Sequence, residues 1–162
     1  LHTLGADLRA TVLDVRRLVE GLRPPALDEL GLGPAVHQAV ARLASGAAPT
    51  IDVDVPADLP PIPAAVEVAV YRIICEAVTN AIRHAAATRC AVTVRAEGGA
   101  LVASIVDDGR GVPAPAATSG GHGLDTMRER AEELGGNVRL GHDGGTSVLA
   151  WIPLHARPAV AP

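Results

Sequence analysis

Residues 76–85 read Glu76-Ala77-Val78-Thr79-Asn80-Ala81-Ile82-Arg83-His84-Ala85. Glu76, Asn80 and His84 recur at every fourth position inside an otherwise apolar helical pattern. At about 100° per residue these side chains fall along one stripe of an α-helix. The stripe borders an apolar face made by Val66, Val70, Ile73, Ile74, Ala77 and Ala81. A carboxylate, an amide and an imidazole at the edge of a core are badly placed for a helix that only packs. They are well placed to line a cleft that holds a metal ion and its anionic ligand. A polar edge that is merely solvated is the simpler account, so the stripe gains meaning only from what the chain sets opposite it.

Around this helix, predicted over residues 64–86, the punctuation is regular. Thr50 to Val55 alternate like a strand, and Pro56 to Pro63 form a proline-rich turn. Cys90 to Glu97 and Leu101 to Val106 read as strands joined by Gly98-Gly99, a hairpin signal. Residues 109–121 are rich in Gly, Ala and Pro and read as a loop. A helix over 123–134 is stopped by Gly135-Gly136, and Val138 to Leu140 and Ser147 to Ile152 form a second hairpin. Upstream, residues 34–45 read as a helix behind a linker. The order predicts an α/β sandwich in which helices cover one face of a mixed sheet.

The first residues have a different character. Leu1, Leu4, Leu8, Thr11, Val15, Leu18 and Leu22 keep a strict 3-4 spacing, and all but Thr11 are apolar. That is the seam of a coiled coil or helical bundle. Pro24-Pro25 is expected to end it. The chain begins at Leu1 rather than Met, so it reads as a piece of a longer protein, with an upstream sensor or membrane segment left open.

Composition narrows the chemistry. The chain has 162 residues, 48% of them hydrophobic, enough for one domain plus an extra element. With no Phe, one Tyr and one Trp, the core must be aliphatic. A net charge of −4 argues against a surface that neutralises nucleic-acid phosphates. All 14 basic residues are Arg. The absence of Lys excludes the P-loop and the eukaryotic-type protein kinase, which both place a Lys on the phosphates. Cys75 and Cys90 lack metal-ligand spacing and read as reduced thiols of a cytoplasmic protein. No apolar run reaches the ~18 residues of a membrane span.

Two loops complete the candidate site. Asp107-Asp108-Gly109-Arg110-Gly111 follows a strand directly. A carboxylate at a strand end can accept a hydrogen bond from the exocyclic amine of adenine, and Gly109 and Gly111 remove side chains that would block a flat base. Gly120-Gly121-His122-Gly123-Leu124 precedes the 123–134 helix, whose N-terminal N–H groups can receive phosphate. Asn80 offers a hard oxygen to Mg2+, an ion that takes few protein ligands and adds phosphate oxygens. Glu76, one turn earlier, can orient or deprotonate a water or nucleophile. Arg83 and His84 can reach phosphate or ribose oxygens.

These segments together resemble the GHKL ATPases, which include gyrase, a heat-shock chaperone, mismatch-repair ATPases and histidine kinases. The 76–85 helix looks like the N box, Asp107 to Gly111 like the G1 box, and Gly121 to Gly123 like the G2 box. Arg17 to Leu27, Asn80 to Ala85 and Met127-Arg128-Glu129-Arg130-Ala131 bring the likeness close to bacterial sensor histidine kinases of the nitrate-sensor-like and desaturase-thermosensor-like type. The resemblance implies a Bergerat-type two-layer α/β sandwich over residues 34–155. Before it stand the end of a dimerisation and phosphotransfer helix, residues 1–23, and a linker, 24–33; a flexible tail, 156–162, follows. Position by position it implies Asn80 on Mg2+, Asp107 on adenine, and Gly109 and Gly111 beside the base. Gly121 and Gly123 would hold phosphates beneath a short lid, with His122 and Leu124 in the same ATP-binding stretch. Thr146 would stand near the adenine-side Asp, and Glu76 takes the N-box acidic position.

The sequence also departs from the pattern. Val112 stands where such kinases often have Phe, and Thr126 where Gly commonly precedes Met127. The phosphoacceptor box, a His followed by an acidic residue on the first helix of the bundle, is absent; His2 is followed by Thr3 and lies on what reads as the second helix.

What the resemblance implies is therefore the catalytic part of a kinase whose acceptor His lies elsewhere. The intact protein, expected to be a homodimer, would pass the γ-phosphoryl of MgATP to that His. From there it would go to a response regulator with a helix-turn-helix output. No nucleic-acid or membrane contact by this stretch is expected. The alternatives are an ATP-binding regulatory module without transfer, and a GHKL serine kinase of an anti-sigma-type system.

Overall fold

The computed structural model describes residues 22–46, 48–111, 122–142 and 144–155, and for His122 the backbone alone. Among the described residues four helices and five strands follow in the order α1 (Pro25–Leu30), α2 (Leu32–Leu43), β1 (Thr50–Asp54), α3 (Ala64–His84), β2 (Arg89–Glu97), β3 (Ala100–Asp107), α4 (His122–Glu132), β4 (Asn137–Gly141) and β5 (Thr146–Pro153).

The strands form one mixed sheet in the order β1-β2-β3-β5-β4. β1 runs parallel to β2, a pairing that needs the crossover connection α3 supplies; the other pairs are antiparallel. β2 and β3 are closed by Gly98 and Gly99, with φ +57° and +77°, the positive values a two-residue hairpin turn demands. Side chains alternate across the sheet. Val92, Val94, Leu101, Ala103, Ile105, Val148, Ala150 and Ile152 point inward and are buried. Val106, Leu149 and Trp151 lie exposed.

Helix α3 is the spine of the inner layer. Val66, Val70, Ile73, Ile74, Ala77 and Ala81, the apolar face read from the sequence, are all buried, joined by Ala69, Tyr71 and Val78. With α2 beside it and Met127 and Ala131 of α4 packed into the same core, the helices cover one face of the sheet. This is the two-layer α/β arrangement that the sequence predicts.

One segment differs from expectation. The stretch read as a linker, residues 24–33, contains all of α1 and the start of α2. Proline forbids a helix interior but fits its first turn, where the lost N–H has no partner anyway. Pro25 sits there, Leu27 is buried beneath it, and Gly31, at φ +77°, separates the two helices. The Pro-Pro pair therefore starts a helix here. The heptad positions before Leu22 lie outside the described residues.

Candidate functional site

Along the α3 stripe exposure rises toward the helix end: Glu76 and Asn80 are half-buried, Arg83 and His84 exposed. Glu76 and Asn80 thus stand at the border between the core and the surface. Arg83 and His84 occupy the last turn, where the Arg83 charge also complements the helix dipole.

Asp107 closes β3. The period-two alternation that buries Leu101, Ala103 and Ile105 turns it inward, and it is 7% exposed, the one buried charged residue among those described. Its Oδ1 accepts the backbone N–H of Gly109 at 2.9 Å and of Thr146 at 3.3 Å. Thr146 is its cross-strand partner on β5, so one carboxylate oxygen ties the strand end to its own loop and to the next strand.

Glycines let the surrounding backbone come this close. A Cβ on Gly145 would lie 1.8 Å from the Asp107 carbonyl oxygen. Gly111, at φ +74°, approaches the Gly145 carbonyl and the His142 imidazole. At Gly109 a Cβ would stand 2.3 Å from the carbonyl oxygen of Ala85. The space a side chain would need at Gly109 is taken by the end of α3, so this glycine answers a contact inside the protein as well as any approach of a flat base.

The first turn of α4 meets the same wall. A Cβ on Gly123 would come within 2.0 Å of Glu76 Oε1, so the helix start rests directly on the Glu76 carboxylate. Leu124 packs half-buried against the core. Gly121 and the His122 side chain lie outside the described residues, as does Val112.

Three segments thus converge: the second half of α3, the 107–111 loop with its β4–β5 neighbour, and the start of α4. Asn80 brings an amide oxygen suited to Mg2+. Among the described residues no three His, Cys, Asp or Glu side chains gather to hold a metal alone. The donor set therefore fits an ion that draws its other ligands from phosphate and water. Both thiols are held in the protonated form. Burial, helped by the Asp107 and Asp108 carboxylates, pushes Cys90 up to about 12, and burial raises Cys75 too.

Sequence reasoning passed over Asp108, Gly145 and His142. The strand alternation would have separated Asp108, pointing away from the core, from Asp107, pointing in. The contacts of Gly145 and His142 join residues far apart in the chain and leave no local mark.

Residues 65–156 match the family described as histidine kinase-, DNA gyrase B-, and HSP90-like ATPase, over more than half of the chain. The chain belongs to this ATPase family. The signal transduction histidine-protein kinase/phosphatase DegS of Brevibacillus brevis is 29% identical over 156 residues, which cover 95% of this chain and 40% of that protein. The blue-light activated histidine kinase of Erythrobacter litoralis EL346 shares 26% identity at a TM-score of 0.65, over 76% of this chain and 42% of the kinase. The histidine kinase AdeS of Acinetobacter baumannii, at 17% identity and a TM-score of 0.64 over 96% of this chain and 86% of that one, shows likeness of fold alone. Fold and relatives together make this member of the family the ATP-binding domain of a two-component sensor histidine kinase. It spans 40% of the length of the curated relative. No helix among its described residues is long and apolar enough to cross a membrane.

Proposed function

We propose that this domain binds MgATP with the adenine amine on Asp107, and that in the intact protein it delivers the γ-phosphoryl group to a histidine of a dimerisation domain. The observation that carries this reading is the fixed Asp107 carboxylate. Two backbone N–H groups hold Oδ1, so the group is oriented before any ligand arrives. Thr146 supplies one of those donors and lies beside the base. Asn80, half-buried on α3, holds the metal, and Gly123 and Leu124 open the helix whose N–H groups face the phosphates. Mg2+, when bound, neutralises charge on the phosphate oxygens. Glu76 orients or deprotonates the attacking imidazole, with Arg83 and His84 as outer contacts on phosphate or ribose. In-line transfer asks for positioning and charge balance more than for covalent help from the protein, which suits a site with few polar side chains.

The phosphoryl group then passes to an aspartate of a response regulator with a helix-turn-helix output. Residues 25–155, with the helices α1 and α2 that pack into the same core, form the ATP-binding unit, and the upstream heptads belong to the dimerisation helix.

Calorimetry of the chain with ATP, with and without Mg2+, tests the first half. Asn80→Ala is expected to weaken binding in Mg2+ and to leave metal-free binding nearly intact; normal MgATP binding by this variant would overturn the metal role. Transfer is tested with [γ-32P]ATP. The chain alone stays unlabelled, while an added dimerisation domain from the same protein acquires acid-labile phosphate. Acid-labile label on the chain itself would place the acceptor within it.

A further inference from the structure

Asp108 follows the adenine-side Asp107 and points the other way. Its Oδ1 accepts the backbone N–H of Thr88 at 2.7 Å and of Arg89 at 2.9 Å, and its Oδ2 accepts the Thr88 hydroxyl at 2.6 Å. Its own N–H donates to the Arg89 carbonyl at 3.2 Å. Two residues on, the Arg110 N–H donates to the Ala85 carbonyl at 2.8 Å, the same carbonyl that leaves no room for a side chain at Gly109. Ala85 is the C-cap of α3, and Thr88 is the last residue before β2. The whole connection between them is therefore stapled to the loop that carries Asp107. Part of that connection is held against its preference, since Ala86 has φ +49°.

This joint sits between the two halves of the proposed ATP site. Asn80 lies a little over one turn before the end of α3, and Asp107 lies directly before the staple. We propose that Asp108 is a positioning residue that sets the span between the metal ligand Asn80 and the adenine acceptor Asp107. Adenine alone needs only Asp107, and of the two N–H groups on its Oδ1 that of Thr146 lies outside the staple and that of Gly109 within it. A nucleotide carrying Mg2+ and phosphates must touch both walls at once, and only its binding requires the two to be held at a fixed separation. A charged acceptor with three donors is suited to that, because such bonds are stronger than neutral ones.

The proposal rests on the ATP-site reading and is tested by comparing two ligands on the full chain: adenosine by ligand-observed NMR and Mg2+-ADP by calorimetry. The variants are Asp108→Ala, Asp108→Asn and Thr88→Val, each first shown to be folded by circular dichroism at the working temperature. Asp108→Ala is expected to hold adenosine within about twofold of the wild type and to weaken Mg2+-ADP about tenfold or more. Thr88→Val, which keeps the carboxylate and both backbone donors, shifts the same ratio by about threefold and carries the test if Asp108→Ala does not fold. Asp108→Asn, whose amide oxygen can still accept an N–H, recovers part of the loss. Equal weakening of both ligands, or of neither, in a folded variant overturns the positioning role. A wild-type chain that binds neither ligand overturns the ATP-site reading instead.

Discussion

The Thr146 N–H donates to Asp107 Oδ1 across the β3–β5 pair at 3.3 Å, and Gly109 donates to the same oxygen at 2.9 Å. That double use decides what Asp107→Asn does. With two N–H donors on one atom, an amide at 107 keeps its oxygen there and turns its NH2 to the ligand. The exocyclic amine of adenine then meets a donor where it needs an acceptor. ATP affinity is expected to fall about 100-fold, roughly 2.7 kcal/mol, while the fold loses about 1 kcal/mol or less. Titration calorimetry and thermal melting read the two effects. ATP binding at wild-type strength would remove Asp107 from the base.

Acid stability is governed in part by the neighbouring residue. The Arg89 amide, followed by the Thr88 hydroxyl and amide, holds the Asp108 carboxyl down from the ordinary 3.8 to about 2. A carboxylate with a depressed folded pKa contributes stability that is fully present above its unfolded value. The contribution fades as the pH falls from about 4 through about 2. Asp108→Asn cannot titrate, so its stability is expected to be lower than the wild type's at pH 7, with the gap closing as the pH falls across that window. Melting temperatures of both proteins between pH 7 and pH 2 give the comparison. A gap that stays constant with pH would mean that Asp108 does not stabilise the fold through its charge.

Ala86 is exposed and takes φ +49°, in the left-handed region that costs an L-residue roughly 1–2 kcal/mol. Ala86→Gly removes that cost and gives back part of it through the greater freedom of glycine in the unfolded chain. The net expectation is a gain of roughly 0.5–1 kcal/mol, read as a higher urea midpoint with an unchanged slope. A loss of stability would show that the joint holds Ala86 without strain.

Where the sequence could be read and where it could not follows from how far each contact reaches along the chain. Helix α3 was legible because its apolar positions repeat at the helical period, and β2–β3 because two glycines stand where the turn needs positive φ. Asn80, Asp107 and Gly123 stood out because each lies at a recognisable end or edge. The helix that starts at Pro25 was missed, since the same residues that stop a helix also fit the first turn of the next. The contacts of Gly109 with Ala85, of Gly145 with Asp107 and of Gly123 with Glu76 join residues 24 or more positions apart in the chain. Nothing local marks them: a glycine needed for a turn and one needed for close packing look the same in a sequence.

Arg23 fastens the entry of the chain to the start of α3. Its guanidinium bonds to Asp28, to the Ala64 carbonyl at 3.1 Å and to Glu67 Oε2 at 2.6 Å, and Arg72 adds a bond to the Leu22 carbonyl at 3.3 Å. The two ion pairs are not equal. Glu67 is 18% exposed and Asp28 63%, and an exposed pair contributes little. Glu67→Gln is therefore expected to cost more than Asp28→Asn, and Arg23→Ala about 1–2 kcal/mol. Arg23→Lys keeps the charge without the planar fork, so it cannot serve three acceptors in different directions and recovers only part of that loss. Loosening should be local to the anchored segment: hydrogen exchange at the Leu27 and Gly31 amides, which close α1, is expected to speed up in Arg23→Ala while the amides of β3 keep their protection. Uniform acceleration across the sheet would show that Arg23 supports the whole domain, and an Asp28→Asn cost equal to that of Glu67→Gln would show that burial does not rank the two pairs.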